Sequence, residues 1–127
     1  MPKHRILMVD DDRDFLLAMR VRLEASGYEV IEAPDVNVAL KVVETQPPPD
    51  LILLDIGLTI GNGIMLLDCF RTYDALRQTP VIILTAQPAP FLRHEARKRG
   101  VVAFFHKPAD NAELLAAIRQ ALGETSS

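Results

Sequence analysis

The chain has 127 residues, 49% of them hydrophobic and 24% charged, with a formal net charge of −3 at pH 7. That length suits one domain with a real core, and that balance excludes a disordered polymer and gives no electrostatic ground for general nucleic-acid binding. The single cysteine, Cys69, cannot close an internal disulfide, no apolar run approaches the ~20 residues of a membrane span, and the opening residues lack a signal-peptide pattern, so a soluble cytoplasmic domain is expected.

Ile6-Leu7-Met8-Val9 runs straight into Asp10-Asp11-Asp12. A helix over residues 14–26 follows, with Phe15, Leu16, Met19 and Leu23 on one stripe and Gly27 as its stop. Residues 28–33 read as a strand with polar breaks, nearer a sheet edge. Asp35 caps a helix through Val38, Ala39, Val42 and Val43, halted by Pro47-Pro48-Pro49. Leu51-Ile52-Leu53-Leu54 ends in Asp55, and beyond Gly57, Gly61 and Gly63 lies a helix carrying Ile64, Leu66, Leu67 and Phe70. Val81-Ile82-Ile83-Leu84 ends in Thr85. A fourth helix over residues 90–99 is stopped by Gly100, and its Arg93, Arg97, Lys98 and Arg99 read as a solvated basic face. The run from Val101 to Phe105 passes through His106 to Lys107-Pro108, and Asp110 with Glu113 three residues on makes the capping-box spacing of a last helix ending before Gly123.

Short continuous apolar runs bounded by polar residues read as strands buried on both faces. Their alternation with helices implies right-handed crossovers and a doubly wound parallel sheet. Residues 1–123 form the domain, and residues 124–127 read as a frayed tail or linker stub.

In such sheets ligands bind beyond the carboxyl ends of the strands, which here deliver carboxylates, a hydroxyl and an ammonium to one edge. Asp10, Asp11 and Asp55 would repel each other unless a cation neutralised them, and Mg²⁺ suits hard oxygen donors while keeping waters for substrate oxygens to replace. Asp55 is the candidate nucleophile for an acyl phosphate, Lys107 a mobile point charge for the transferring group, and Thr85 a hydrogen-bond donor to a phosphoryl oxygen. Singly, these residues have a plainer reading: Asp10, Asp12 and Asp14 as N-terminal helix charges, Lys107 as a snorkelling surface residue, Thr85 as a strand terminus. His4, His94 and His106 have no metal-ligand spacing and receive no role.

The pattern of Asp10-Asp11, Asp55, Thr85-Ala86 and Lys107-Pro108 resembles the response-regulator receiver domain of bacterial two-component signalling, over essentially the whole chain. The resemblance implies a five-stranded, flavodoxin-like sheet of order 2-1-3-4-5. It also implies phosphotransfer from a phosphohistidine of a sensor histidine kinase, or of a histidine phosphotransfer domain, to Asp55. The metal would be Mg²⁺, with Mn²⁺ as a substitute, bound by Asp11, Asp55 and the backbone carbonyl of Gly57, and by Asp10 through water. Phe104, three residues before Lys107, becomes the aromatic that fills the volume Thr85 vacates, changing the surface of helix four, strand five and helix five, where a homodimer or effector would bind. The Lys107-Pro108 peptide becomes a candidate cis bond. A switch of this kind promotes its own phosphotransfer and autodephosphorylation and is not a turnover enzyme.

Departures from the family pattern concern the loops. Gly57 leaves no side chain over the phosphate, and Gln87 stands where a polar residue can orient an attacking water. Thr59 replaces a frequent proline, so the glycine-bearing loop is expected to be less preorganised, and Pro88 and Pro90 crowd the start of helix four. A phosphohydrolase of the haloacid-dehalogenase type is the alternative, since Asp55-Ile56-Gly57-Leu58-Thr59 nearly matches Asp-x-Asp-x-Thr, but its second Asp is Gly57 here. A flavin-binding domain ranks last, because three aspartates after the first strand would repel a flavin phosphate.

Overall fold

Residues 3–57, 63–86 and 90–124 are described in a computed structural model of the chain, so Thr59, Gly61, Gln87 and Pro88 lie outside the described residues. The strands are β1 (Arg5–Val9), β2 (Glu29–Ala33), β3 (Leu51–Leu54), β4 (Val81–Thr85) and β5 (Ala103–His106). The helices are α1 (Arg13–Ala25), α2 (Val36–Thr45), α3 (Gly63–Thr72), α4 (Pro90–Lys98) and α5 (Asn111–Ala121). All strand pairs are parallel, in the order β2-β1-β3-β4-β5.

The apolar runs form strands because both of their faces are covered. Leu7, Val9, Ile52, Leu54, Val81 and Ile83 pack with Ala39 of α2, Leu66, Leu67 and Phe70 of α3 and Ala96 of α4. Ile6, Met8, Leu51, Leu53, Ile82 and Leu84 pack on the opposite face with Leu16, Met19 and Leu23 of α1 and Leu114 and Ile118 of α5. The helices begin where acidic caps satisfy orphaned N–H groups: Asp12 accepts from Phe15 N, Asp35 from Val38 N and Asp110 from Glu113 N. No helix among the described residues is long and apolar enough to cross a membrane.

The fifth strand differs from its expected form. It begins at Ala103 rather than Val101, and its residues are half-buried or exposed, with Val102 just before it 56% exposed. The cause is position: β5 pairs only with β4 and closes the sheet on that side, so it lacks the second neighbour that buries β3. A short 3-10 turn at Asp74–Leu76, absent from the sequence reading, carries buried Leu76 between α3 and β4. Glu124, the first residue assigned to the tail, is tied down. Gly123 turns the chain at φ +72, Glu124 N donates to Arg119 O at 2.8 Å, and the Glu124 carboxylate takes His4 Nδ1 at 2.5 Å and Tyr28 Oη at 3.3 Å.

The basic face of α4 is partly committed within the fold. Arg99 forks onto Asp68 of α3 at 2.7 and 3.3 Å and onto Glu95, Lys98 lies 3.4 Å from Glu95, and the Arg93 guanidinium sits 4.9 Å over the Phe104 ring.

Gly63 sets how closely α3 approaches the end of β3. A Cβ built on it would lie 2.3 Å from Ile56 Cα and 3.0 Å from Asp55 O, both backbone atoms that cannot swing aside. This glycine therefore serves close packing rather than looseness. Gly63→Ala is expected to cost about 1–3 kcal/mol in urea unfolding, the range for overpacking. An unchanged midpoint would show that the Asp55–Ile56 segment yields freely.

Candidate functional site

Register brings the chemistry together. Val9 pairs with Leu54 and Leu54 with Ile83, so the residues that leave β1 and β3, Asp10 and Asp55, emerge side by side. Asp10 N donates to Ala33 O at 3.1 Å and Asp55 N to Val9 O at 2.9 Å, which extends the ladder by one residue and fixes both carboxylates at the sheet edge. Thr85 ends β4 opposite His106, and Lys107 N donates to Thr85 O at 2.8 Å, delivering the lysine from the far side.

The carboxylates of Asp10, Asp11 and Asp55 offer oxygens within 4.8 Å of one another. Asp10 is 3% exposed and Asp55 8%, Thr85 is fully buried, and Asp11 is half-buried. The Lys107 ammonium reaches into this group, 2.5 Å from Asp10 Oδ2 and 3.7 Å from Asp55 Oδ2. Backbone donors hold the remaining oxygens: Asp12 N donates to Asp10 Oδ1 at 2.9 Å and Gly57 N to Asp55 Oδ1 at 2.8 Å. The Lys107–Pro108 peptide is cis.

Burial raises the Asp10 carboxyl above the ordinary aspartate range; the hydrogen bonds from Lys107 and Asp12 and the lysine's charge pull it down, and the charge of Asp55 adds to the rise. Burial prevails. Three carboxylates and one ammonium leave net negative charge in a partly desolvated site, and a donor set made wholly of hard oxygens fits Mg²⁺. Asp10, Asp11 and Asp55 could hold such an ion.

Of the residues singled out in the sequence, Asp10, Asp11, Asp55 and Lys107 converge directly, and Thr85 stands at the same edge. Phe104 pairs with Ile83, placing it on the sheet face that Thr85 shares with Val81 and Ile83 and packing it against the cluster that contains Ala96. Asp12 is the N-cap of α1 and not part of the cluster. Phe15 was read only as part of an apolar stripe, yet Lys107 Nζ lies 3.9 Å from its ring centroid. Its spacing in the stripe carried no signal that set it apart from Leu16, Met19 and Leu23.

Known proteins resemble this chain in sequence and fold. The family model for the response regulator receiver domain matches residues 6–119. The transcriptional regulatory protein CpxR of Escherichia coli is 37% identical over 119 residues, covering 94% of this chain and 49% of that protein. The alkaline phosphatase synthesis transcriptional regulatory protein PhoP of Bacillus subtilis is 34% identical over 118 residues, covering 93% and 48%. The chain thus spans about half the length of these relatives. Among solved structures, a CheY-like receiver domain protein from Methanospirillum hungatei superposes with TM-score 0.89 at 29% identity, covering 97% of this chain and 96% of that one. The chemotaxis protein CheY4 of Vibrio cholerae gives 0.88 at 25% identity, covering 95% and 100%.

The sign of the Asp10 perturbation yields a stability test. A carboxyl raised on folding contributes its full stability below the unfolded value and loses it as pH rises through the folded value, so at neutral pH the Asp10 carboxyl is a net cost. Asp10→Asn is expected to melt above wild type in metal-free buffer at pH 7, with the gap closing as pH falls through the raised folded value and gone below the unfolded aspartate value of about 3.9. A lower melting temperature at pH 7 would mean that the ion pair with Lys107 outweighs the burial.

Proposed function

The chain belongs to the response regulator receiver domain family, and on that premise we propose that it is a phosphorylation-controlled switch whose phosphoacceptor is Asp55. The observation that carries this reading is the convergence of Asp10, Asp11 and Asp55 within 4.8 Å, with Lys107 Nζ 3.7 Å from Asp55. The donor is a phosphohistidine of a sensor histidine kinase or of a histidine phosphotransfer domain. An Asp55 carboxylate oxygen attacks phosphorus in line, the new O–P bond forms as the N–P bond breaks, and the electron pair and a proton from solvent go to the leaving imidazole.

Asp11, Asp55 and the Gly57 carbonyl would hold Mg²⁺ directly and Asp10 through water. When bound, the ion supplies positive charge against the phosphoryl oxygens. The protein's own residues do the rest. Gly57 N, 2.8 Å from Asp55 Oδ1, fixes one carboxylate oxygen and so orients the other. Lys107 transfers its ammonium from the carboxylates to an equatorial phosphoryl oxygen, where it offsets developing charge. Thr85 donates its hydroxyl to another such oxygen. The volume vacated on the β4 face is then open to Phe104, whose ring has no hydroxyl to exchange partners, so the change is one of packing at α4, β5 and α5. That surface would serve a second copy or an effector, with no direct nucleic-acid contact by this domain, and the domain would work in the cytoplasm.

Hydrolysis of the acyl phosphate ends the signal. Gly57 places no side chain between the phosphate and solvent, so water has access from that side, with Gln87 a candidate to orient it. No specific observation favours the phosphohydrolase reading, because Gly57 cannot act as the second carboxylate.

Incubation with acetyl phosphate and Mg²⁺ is expected to add one phosphoryl mass to wild type and none to Asp55→Asn. A label that persists in the Asn variant would overturn the assignment.

A further inference from the structure

The Lys107 ammonium sits at the end of a flexible four-carbon stem, a poor means of placing a charge with precision. Here it is bounded on three sides. Asp10 lies at 2.5 Å, Asp55 at 3.7 Å and the Phe15 ring centroid at 3.9 Å, and the lysine side chain is 13% exposed. The backbone that carries the ring is itself held. Phe15 N donates to Asp12 Oδ1 at 3.1 Å, and Asp12 N donates to Asp10 Oδ1 at 2.9 Å. The contacts thus close a circuit, from Asp10 through the cap of α1 to Phe15, from the ring to Lys107, and from Lys107 back to Asp10.

We infer that Phe15 is a positioning residue for phosphoryl transfer, presenting a π face that keeps the Lys107 ammonium beside Asp10 and Asp55. The inference rests on the reading of Asp55 as phosphoacceptor and assigns a role to a residue outside the acidic cluster. Its logic is the difference between two kinds of anchor. A carboxylate holds an ammonium by directed hydrogen bonds and competes with an incoming phosphoryl oxygen for the same protons. An aromatic face attracts the charge through its quadrupole with little directional demand, and a desolvated ring attracts it more strongly than an exposed one. Lys107 can therefore release Asp10 and slide toward a phosphoryl oxygen without swinging into water. Phe15 also joins Met8, Leu53 and Leu84 in lining the small pocket against Asp10 and Asp55, so it shields the inner side of the site.

Two substitutions separate the π face from apolar bulk. Phe15→Leu keeps a large apolar side chain and removes the quadrupole, while Phe15→Tyr keeps the ring. Two readouts are taken on the full chain with intact folding checked by circular dichroism: the Lys107 Hε proton resonances, which a ring overhead shields, and the maximal rate of Asp55 labelling at saturating acetyl phosphate and Mg²⁺. The Leu variant is expected to lose the shielding and to label about three- to ten-fold more slowly, with Tyr close to wild type in both. A Leu variant with wild-type rate, with unmoved Lys107 resonances, or with a loss that Tyr shares equally would overturn the inference. Should wild type itself take no label, the reading of Asp55 falls, and the resonances alone decide whether Phe15 holds the ammonium.

Discussion

The structure turns on an imbalance of charge at the end of a sheet. Among the described residues, three carboxylates offer oxygens within 4.8 Å of one another, and a single ammonium stands among them. At an effective dielectric constant of about 20, two unit charges at that separation repel by about 3.5 kcal/mol. Asp10 is buried deeply enough that its carboxyl is raised despite a lysine in contact. A pair such as Lys107–Asp10 is weak evidence of stabilisation, because desolvation offsets much of its attraction. The fold carries this cost, and the consequence is an edge that gains by admitting a cation.

The rest of the molecule serves to hold those charges in place. Parallel pairing of β1 with β3 puts Asp10 next to Asp55, and the bonds from Asp10 N to Ala33 O and from Asp55 N to Val9 O carry the ladder to the two aspartates themselves. Gly63 lets α3 begin against the backbone of Asp55 and Ile56. Lys107 arrives from β5, an edge strand with less burial than its neighbour β4, and so the mobile charge of the site hangs from the least enclosed element of the sheet. That placement links the chemistry to α4 and β5, where Arg93 covers the Phe104 ring and Arg99 ties α4 to α3.

Much of this was legible in the residues. Runs such as Leu51-Ile52-Leu53-Leu54 announce strands buried on both faces, and Asp35 and Asp110 announce helix starts, because the physics behind them is local. The acidic pair after β1 and the aspartate after β3 were legible as a cluster once the sheet was taken as parallel. What escaped depends on distant partners. The start of β5 was misplaced at Val101 because apolar character does not reveal whether a strand has one neighbour or two. Phe15 fits an apolar stripe equally well whether it meets leucine or an ammonium. Glu124 looked like a loose end, and only folding brings it to His4, 120 positions away. Thr59 and Gln87 lie outside the described residues, so the loop readings that depend on them rest on sequence.

The central claim is that the charge cluster is a phosphoryl site in which Lys107 changes partners. Its most direct measurement is a crystal structure grown with Mg²⁺ and beryllofluoride, a tetrahedral mimic of the phosphoryl group. The account predicts beryllium bonded to an Asp55 carboxylate oxygen, the cation held by Asp11, Asp55 and the Gly57 carbonyl, and Lys107 Nζ moved from Asp10 to a fluorine. Beryllium on another carboxylate, or a lysine still bound to Asp10 beside the adduct, would contradict it.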